Sequence, residues 1–235
     1  MRIEGVFERV VCINLRRRAD RWAKFQQQIP ADWPFRAIER FEAIDGSRVP
    51  PPRWYDVGDA QGAWGCLVSH LRVWESALSE NVESVLVFED DAVLCDSFVA
   101  DVREFLEAVP ENWDQIWLGG DHAPGTIPTR VNDSVFRPDS PIRTHCYAVR
   151  SRFMRELYHD VCDFNTHGRY PKPALFHVDH QMSRLVREGQ YNVYCPARWL
   201  VGQLSDISDV SQGVRHQGTA FYNDVNPIQQ GRFRT

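Results

Sequence analysis

The sequence predicts an α/β fold with a mostly parallel central sheet flanked by helices. Three observations carry that expectation. Short apolar runs of strand length (Val10–Leu15, Val85–Phe88, Gln115–Leu118) alternate with longer stretches of helical period. The runs are dominated by β-branched, aromatic and leucine side chains, as expected of strands covered on both faces. No internal repeat and no break in composition divides the chain, so residues 1–235 read as one domain, with an irregular tail from about residue 205.

Val10 to Leu15 reads as a buried first strand, followed by an arginine-rich helix from Ala19 to Gln28 that Pro30 and Pro34 close. Phe41 to Ile44 reads as a second strand, ending in the turn Asp45-Gly46. Gly62 and Gly65 frame the entry to a helix from Trp64 to Ser79, whose apolar positions Leu67, Leu71, Trp74 and Leu78 keep the helical period. After the Val85–Phe88 strand comes a helix from Ser97 to Ala108, then the Gln115–Leu118 strand running into Gly119-Gly120-Asp121. Residues 122–142, rich in Pro, Asp, Asn and Arg, read as a long loop. Cys146–Val149 suits a strand, Arg152–Cys162 a helix, His177 to Arg187 another helix, and Tyr191–Tyr194 a last strand. Trp74 and Trp117 read as core, whereas Trp33, Trp54 and Trp113 lie nearer loops, where one would suit stacking on a sugar face.

The strand at Val85 ends in Glu89-Asp90-Asp91, three consecutive carboxylates. Each would cost several kcal/mol if buried without a partner. They are expected to emerge at the strand's carboxyl end, where an open α/β sheet places its ligand crevice. A divalent cation carrying a phosphate ligand would relieve their mutual repulsion; a solvated acidic turn is the plainer alternative.

Bulk charge narrows the function classes. With 27 basic and 32 acidic residues the formal charge is −5, which gives no nucleic-acid footprint. Arg16, Arg17, Arg18 and Arg21 cluster near the start and Arg232-Phe233-Arg234 near the end; these would suit phosphates or peripheral contact with anionic lipid, or a solvated helix face. The six cysteines show neither a C-x-x-C pair nor metal-ligand spacing, which suggests a reducing compartment. With no apolar leader and no run of about 20 apolar residues, a cytoplasmic protein is expected.

Seven short segments in one order resemble glycosyltransferase family 25, which includes bacterial lipooligosaccharide and procollagen galactosyltransferases. They are Val11–Leu15 with Arg18, Asp20 and Arg21; Phe41–Gly46; Gly65–His70 with Trp74; Val87–Ala92; Thr144–Val149; Val178-Asp179-His180; and Gln203 with Ser205-Asp206-Ile207. The resemblance implies a GT-A type, Rossmann-like fold and an inverting transfer, commonly from UDP-galactose, to a glycan or lipid-linked glycan acceptor. The alternative is a catalytically inactive nucleotide-sugar or glycan-binding module on the same fold.

A sugar nucleotide brings a diphosphate leaving group, whose growing charge Mn²⁺ or Mg²⁺ would stabilise. If the acidic segment stays extended, Glu89 and Asp91 share a side, with Asp91 the preferred metal ligand. Asp90 would then face ribose, a partner side chain, or the following turn. His180 is a candidate late metal ligand, three residues from His177. An inverting transfer needs a general base, for which Asp179 comes first and Asp121 second, since Gly119-Gly120 would let a ligand approach the backbone. Ser69 and His70 are placed near the nucleotide beside free backbone donors at the helix start near Gly65, with a satisfied core histidine as the other reading of His70. Asn14 and Arg18, ending the first strand, are placed near base and diphosphate.

Overall fold

The computed structural model describes residues 3–52, 55, 60–167, 177–204, 219–223 and 226–235. In chain order the elements are β1 (Arg9–Asn14), α1 (Ala19–Gln27), β2 (Glu39–Glu42), α2 (Ala60–Ser79), β3 (Ser84–Glu89) and β4 (Ala92–Leu94). Then come α3 (Phe98–Ala108), β5 (Gln115–His122), β6 (Thr129–Arg130), β7 (Val135–Arg137) and β8 (Pro141–Arg150). The chain continues with α4 (Ser151–His167), α5 (Val178–Arg187), β9 (Val193–Pro196), β10 (Val201–Leu204) and β11 (Thr219–Ala220).

Among the described residues, eight strands form one sheet in the order β2-β1-β3-β8-β5-β9-β7-β6. Pairing directions send all of them one way except β7 and β8, so the sheet is mostly parallel in direction, with β8 inserted antiparallel between β3 and β5. A small antiparallel sheet, β11-β10-β4, continues from the end of β3. This is the Rossmann-like α/β architecture expected.

Period-two alternation assigns the two faces. Val85 and Val87 of β3, Val11 and Ile13 of β1, and Tyr147 and Val149 of β8 pack against Leu67 and Trp74 of α2, Phe153 and Leu157 of α4, and Met182 of α5. Their neighbours Leu86, Phe88, Val10, Cys12, Cys146 and Ala148 pack the other way, against Phe25 of α1 and Phe98, Val102 and Phe105 of α3. Helices therefore cover both faces, and the strands' carboxyl ends are left for a site.

Three expectations change. First, α2 begins at Ala60, so Gly62 and Gly65 lie within it. A Cβ on Gly65 would sit 2.7 Å from the Gly46 nitrogen and the Ile44 oxygen; the glycine lets α2 close against the chain leaving β2. Second, the 122–142 stretch is not wholly loop: β5 runs on to His122, and a β6–β7 hairpin precedes β8. Strands this short carry too few residues for a periodic signal.

Third, Trp113 is 2% exposed and packs edge-on against Phe7, which removes it as a sugar platform. Trp33 packs among Phe35, Phe88 and Phe98, and Trp54 lies outside the described residues. Where it is described, the irregular end of the chain packs on the sheet. Phe233 packs on Phe136, and Arg234 accepts a hydrogen bond from the Arg130 backbone at 2.7 Å.

Candidate functional site

The three acids do not continue an extended strand. Glu89 ends β3, Asp90 and Asp91 form a turn, and β4 starts at Ala92, so the carboxylates fan out in three directions. Glu89 accepts hydrogen bonds from the Thr144 hydroxyl (2.5 Å) and pairs with His70 Nε2 (3.3 Å). Asp90 accepts from Asn14 Nδ2 (2.5 Å) and from Arg21 (3.0 Å). Asp91 accepts from Gln203 Nε2 (3.2 Å) and lies 3.8 Å from Arg21, while its Oδ1 is buried with no hydrogen-bond partner among the described residues.

Their electrostatics differ accordingly. Burial pushes the Glu89 carboxyl up, but hydrogen bonds and charge from His70, with the Thr144 hydroxyl, outweigh it and hold the group below its ordinary value. Asp90 is raised, by burial first, against the pull of Arg21 and Asn14. Asp91 is pushed up to about 7, by burial first and then by the charge of Glu89, with Arg21 opposing and Asp90 adding to the rise. A buried acid beside two others, with an oxygen left over, is a place where a cation would be stabilising.

A second ring of residues is tied together by Arg143. Its backbone adopts φ of 67°, a left-handed conformation uncommon outside glycine and a mark of a site under constraint. Its N–H donates to Asp179 Oδ2 (2.9 Å), and its guanidinium donates to Gln203 Oε1 (3.3 Å). The same guanidinium lies 3.8 Å from Asp121 and 4.3 Å above the Tyr222 ring. Asp91, Gln203, Arg143, Asp121 and Asp179 are thus one connected network at the sheet's carboxyl edge.

The expected site residues sort by what they touch. Asn14, 1% exposed, holds Asp90 and the Arg18 carbonyl and accepts from Arg40 (2.8 Å), so it positions Asp90 from the interior. The Arg18 guanidinium donates to Asp20 at 3.1 Å through two nitrogens. Ser69, 1% exposed, donates to the Gly65 carbonyl (2.6 Å) and accepts the Ile44 N–H (2.9 Å), clipping α2 to the chain after β2. With the helix beginning at Ala60, the backbone near Gly65 is interior and offers no free donors. His70 is likewise buried, bridging Tyr147 OH (2.8 Å) and Glu89. Gly119 and Gly120 are approached closely by protein, not by open space. A Cβ on Gly119 would meet the Val201 oxygen at 2.5 Å and the His145 ring at 2.7 Å.

Asp179 lies in the first turn of α5, behind the N-cap His177, and accepts the His180 N–H (2.8 Å) as well as that of Arg143. His180 lies beside it at 4.0 Å, with the His177 ring 5.8 Å away, as three-residue spacing predicts. The N-terminal arginines are largely paired: Arg17 with Asp45, Arg18 with Asp20, and Arg21 with Asp90. Sequence reading missed Arg21 as a site residue, although its i,i+4 spacing from buried Phe25 was a signal. It also missed Arg143 and Tyr222, which nothing local marks.

The chain matches the family described as "Glycosyltransferase family 25 (LPS biosynthesis protein)" over residues 7–124, half its length. It belongs to glycosyltransferase family 25. Over 132 residues it is 29% identical to a glycosyltransferase 25 family member of Anopheles gambiae, covering 47% of this chain and 21% of that one. It is 25% identical over 136 residues to mouse procollagen galactosyltransferase 2, covering 48% of this chain and 21% of that one. The human "Inactive glycosyltransferase 25 family member 3" is 28% identical over 132 residues, covering 48% and 22%. The chain thus spans about a fifth of the length of these curated relatives. Family 25 members named for an activity and named inactive match this chain alike, so the case for catalysis rests on the residues. Among the described residues no helix is long and apolar enough to cross a membrane.

Proposed function

We propose that this chain is an inverting hexosyltransferase, moving galactose from UDP-galactose to a hydroxyl of a glycan acceptor such as lipooligosaccharide. One observation carries the reading: Asp91, whose buried Oδ1 has no partner among the described residues, follows two further carboxylates at the carboxyl end of β3. These residues fit a hard divalent ion, Mn²⁺ or Mg²⁺, which takes carboxylate and diphosphate oxygens together. Asp91 and Glu89 would hold it, and when bound it would offset the charge growing on the leaving diphosphate. His180, beside Asp179, is the further candidate ligand.

For the base, the geometry supports Asp121 over Asp179. Both Asp179 oxygens already accept backbone N–H groups. Asp121 gives one oxygen to the His122 N–H (2.8 Å) and has its other 3.8 Å from Arg143. Burial raises the Asp121 carboxyl, against the His122 N–H and Arg143, toward the range a general base needs. In this reading Asp121 takes the acceptor proton, Asp179 fixes the Arg143 backbone, and Arg143 orients Asp121 and Gln203. Asn14 and Arg21 set Asp90, and His70 and Thr144 set Glu89.

The inactive-named relative motivates a second reading, a module that binds a nucleotide sugar without transferring it. Thermal shift with UDP, GDP, CMP and their sugars, each with Mn²⁺ and with EDTA, separates the cases. A ligand at 100 times its dissociation constant adds about 2.7 kcal/mol. Metal-dependent stabilisation by UDP species, with UDP-galactose turned over and Asp121→Asn slowing turnover at least about 100-fold, is the expected result. Binding without transfer to any acceptor or to water selects the module. Silence toward every nucleotide overturns the donor assignment.

A further inference from the structure

We propose that Cys66, His70 and Glu89 form a binding site for one Zn²⁺ ion, which shares Glu89 with the carboxylate site at Asp91 and differs from it in its sulfur and nitrogen ligands. A ligand atom from each (the Cys66 sulfur, a His70 ring nitrogen, a Glu89 oxygen) lies within 4.8 Å of the other two. Cys66 and His70 are four residues apart on α2 and so share a helix face, while Glu89 meets them from the end of β3. Among the described residues this is the one such cluster.

One of the three ligand pairs already stands at the spacing of a tetrahedral centre. Metal–nitrogen and metal–oxygen bonds of about 2.0–2.2 Å set those ligand atoms roughly 3.3–3.5 Å apart. His70 Nε2 and Glu89 Oε1 stand at 3.3 Å. A metal–sulfur bond of about 2.3 Å asks the Cys66 sulfur to come within roughly 3.6 Å of both. From its present limit of 4.8 Å that is an adjustment of at most about 1.2 Å, within the reach of a side-chain rotation.

Three protein ligands leave a fourth position for water, the pattern of an open zinc site. Charge closes too: a thiolate and a carboxylate neutralise the ion, and the thiol proton passes to solvent as the sulfur–metal bond forms. The outer shell is in place. Tyr147 OH lies 2.8 Å from His70 Nδ1 and accepts from Trp74 Nε1 at 3.1 Å. A hydroxyl both donates and accepts, so Tyr147 supports the His70 tautomer that pairs with Glu89 and the one that frees Nε2 for a metal. Thr144 orients Glu89. Cys66 and the Glu89 side chain are partly exposed, which provides entry.

Softness separates the two sites. Thiolate and imidazole select zinc over Mg²⁺ or Mn²⁺, whereas Asp91 offers oxygen alone. The zinc assignment stands without the donor reading; only the corollary, that zinc withdraws Glu89 from a hard cation at Asp91, rests on it.

Co²⁺ titrated into the full chain is the test, because a cobalt–thiolate bond has a near-ultraviolet charge-transfer band that oxygen and nitrogen ligands lack. The expected result is a band saturating at one equivalent, displaced by one equivalent of Zn²⁺, lost in Cys66→Ser and kept in Cys162→Ser, the other partly exposed cysteine. Zn²⁺ affinity in Cys66→Ser should fall at least about 100-fold. A wild-type protein without the band, or a band that survives in Cys66→Ser, overturns the proposal. Should Cys66→Ser fail to fold, alkylation of the wild type decides. Zn²⁺ must protect Cys66, located by peptide mass, and unprotected alkylation overturns the site.

Discussion

Replacing Asp91 with Asn is expected to stabilise the metal-free protein at alkaline pH while abolishing transfer. The Asp91 carboxyl is pushed from 3.8 to about 7, by burial and then by Glu89. The folded state therefore holds this proton more tightly than the unfolded chain. Wild-type stability from this group is fully present below about pH 4 and lost as pH rises through about 7. At 1.36 kcal/mol per pH unit, the interval from 3.8 to about 7 sets a ceiling on the order of 4 kcal/mol. The substitution also removes the Arg21 contact at 3.8 Å, and local relaxation shrinks the penalty, so a net gain of about 1–3 kcal/mol is expected near pH 8. Near pH 4 the gain should vanish. Urea denaturation in EDTA at both pH values measures it, the chelator keeping any bound cation from stabilising the wild type. A variant no more stable than wild type near pH 8, or one with the same gain at both pH values, would refute the reasoning.

Two further substitutions probe the frame around the site. Gly65→Ala should destabilise by about 1–3 kcal/mol, because the new Cβ lies 2.7 Å from backbone atoms that cannot move aside as a side chain can; an unchanged denaturation midpoint would contradict that contact. Arg143→Gly releases a left-handed strain worth about 1–3 kcal/mol and loses the guanidinium contacts. Its stability should stay within about 1 kcal/mol of wild type while transfer falls more than about 10-fold. A large stability loss with activity retained would show that Arg143 serves the fold and not the site.

The division between local and long-range information runs through single residues. The apolar run at Val85 announced a strand buried on both faces, and its flanking Leu86 and Val87 do go to opposite cores. Glu89, Asp90 and Asp91 announced an acidic cluster at a strand end, but their directions depended on a turn that the extended reading did not foresee. Ser69 and His70 stand in a recognisable motif, yet whether they face ligand or interior depends on where α2 begins, and glycines inside a helix imitate a helix start. Gly119 and Gly120 announced close approach, but not that the approaching groups would be His145, Val201, Ile142 and Trp117.

From the sequence alone came the layered α/β class, the order of its longer elements, the family resemblance and the acidic cluster at a strand end. All of these are written in period and local chemistry, which act over a few residues. Tertiary structure alone decided that Arg21 pairs inward with Asp90, that Arg143 joins Asp121, Asp179 and Gln203, and that Cys66 meets Glu89. Those contacts cross as many as 69 positions between Arg21 and Asp90. The Arg143 contacts follow from β8 entering antiparallel between β3 and β5, and the Arg21–Asp90 pair from β1 lying beside β3; these pairings are set by the packing of the whole sheet and carried by no single segment.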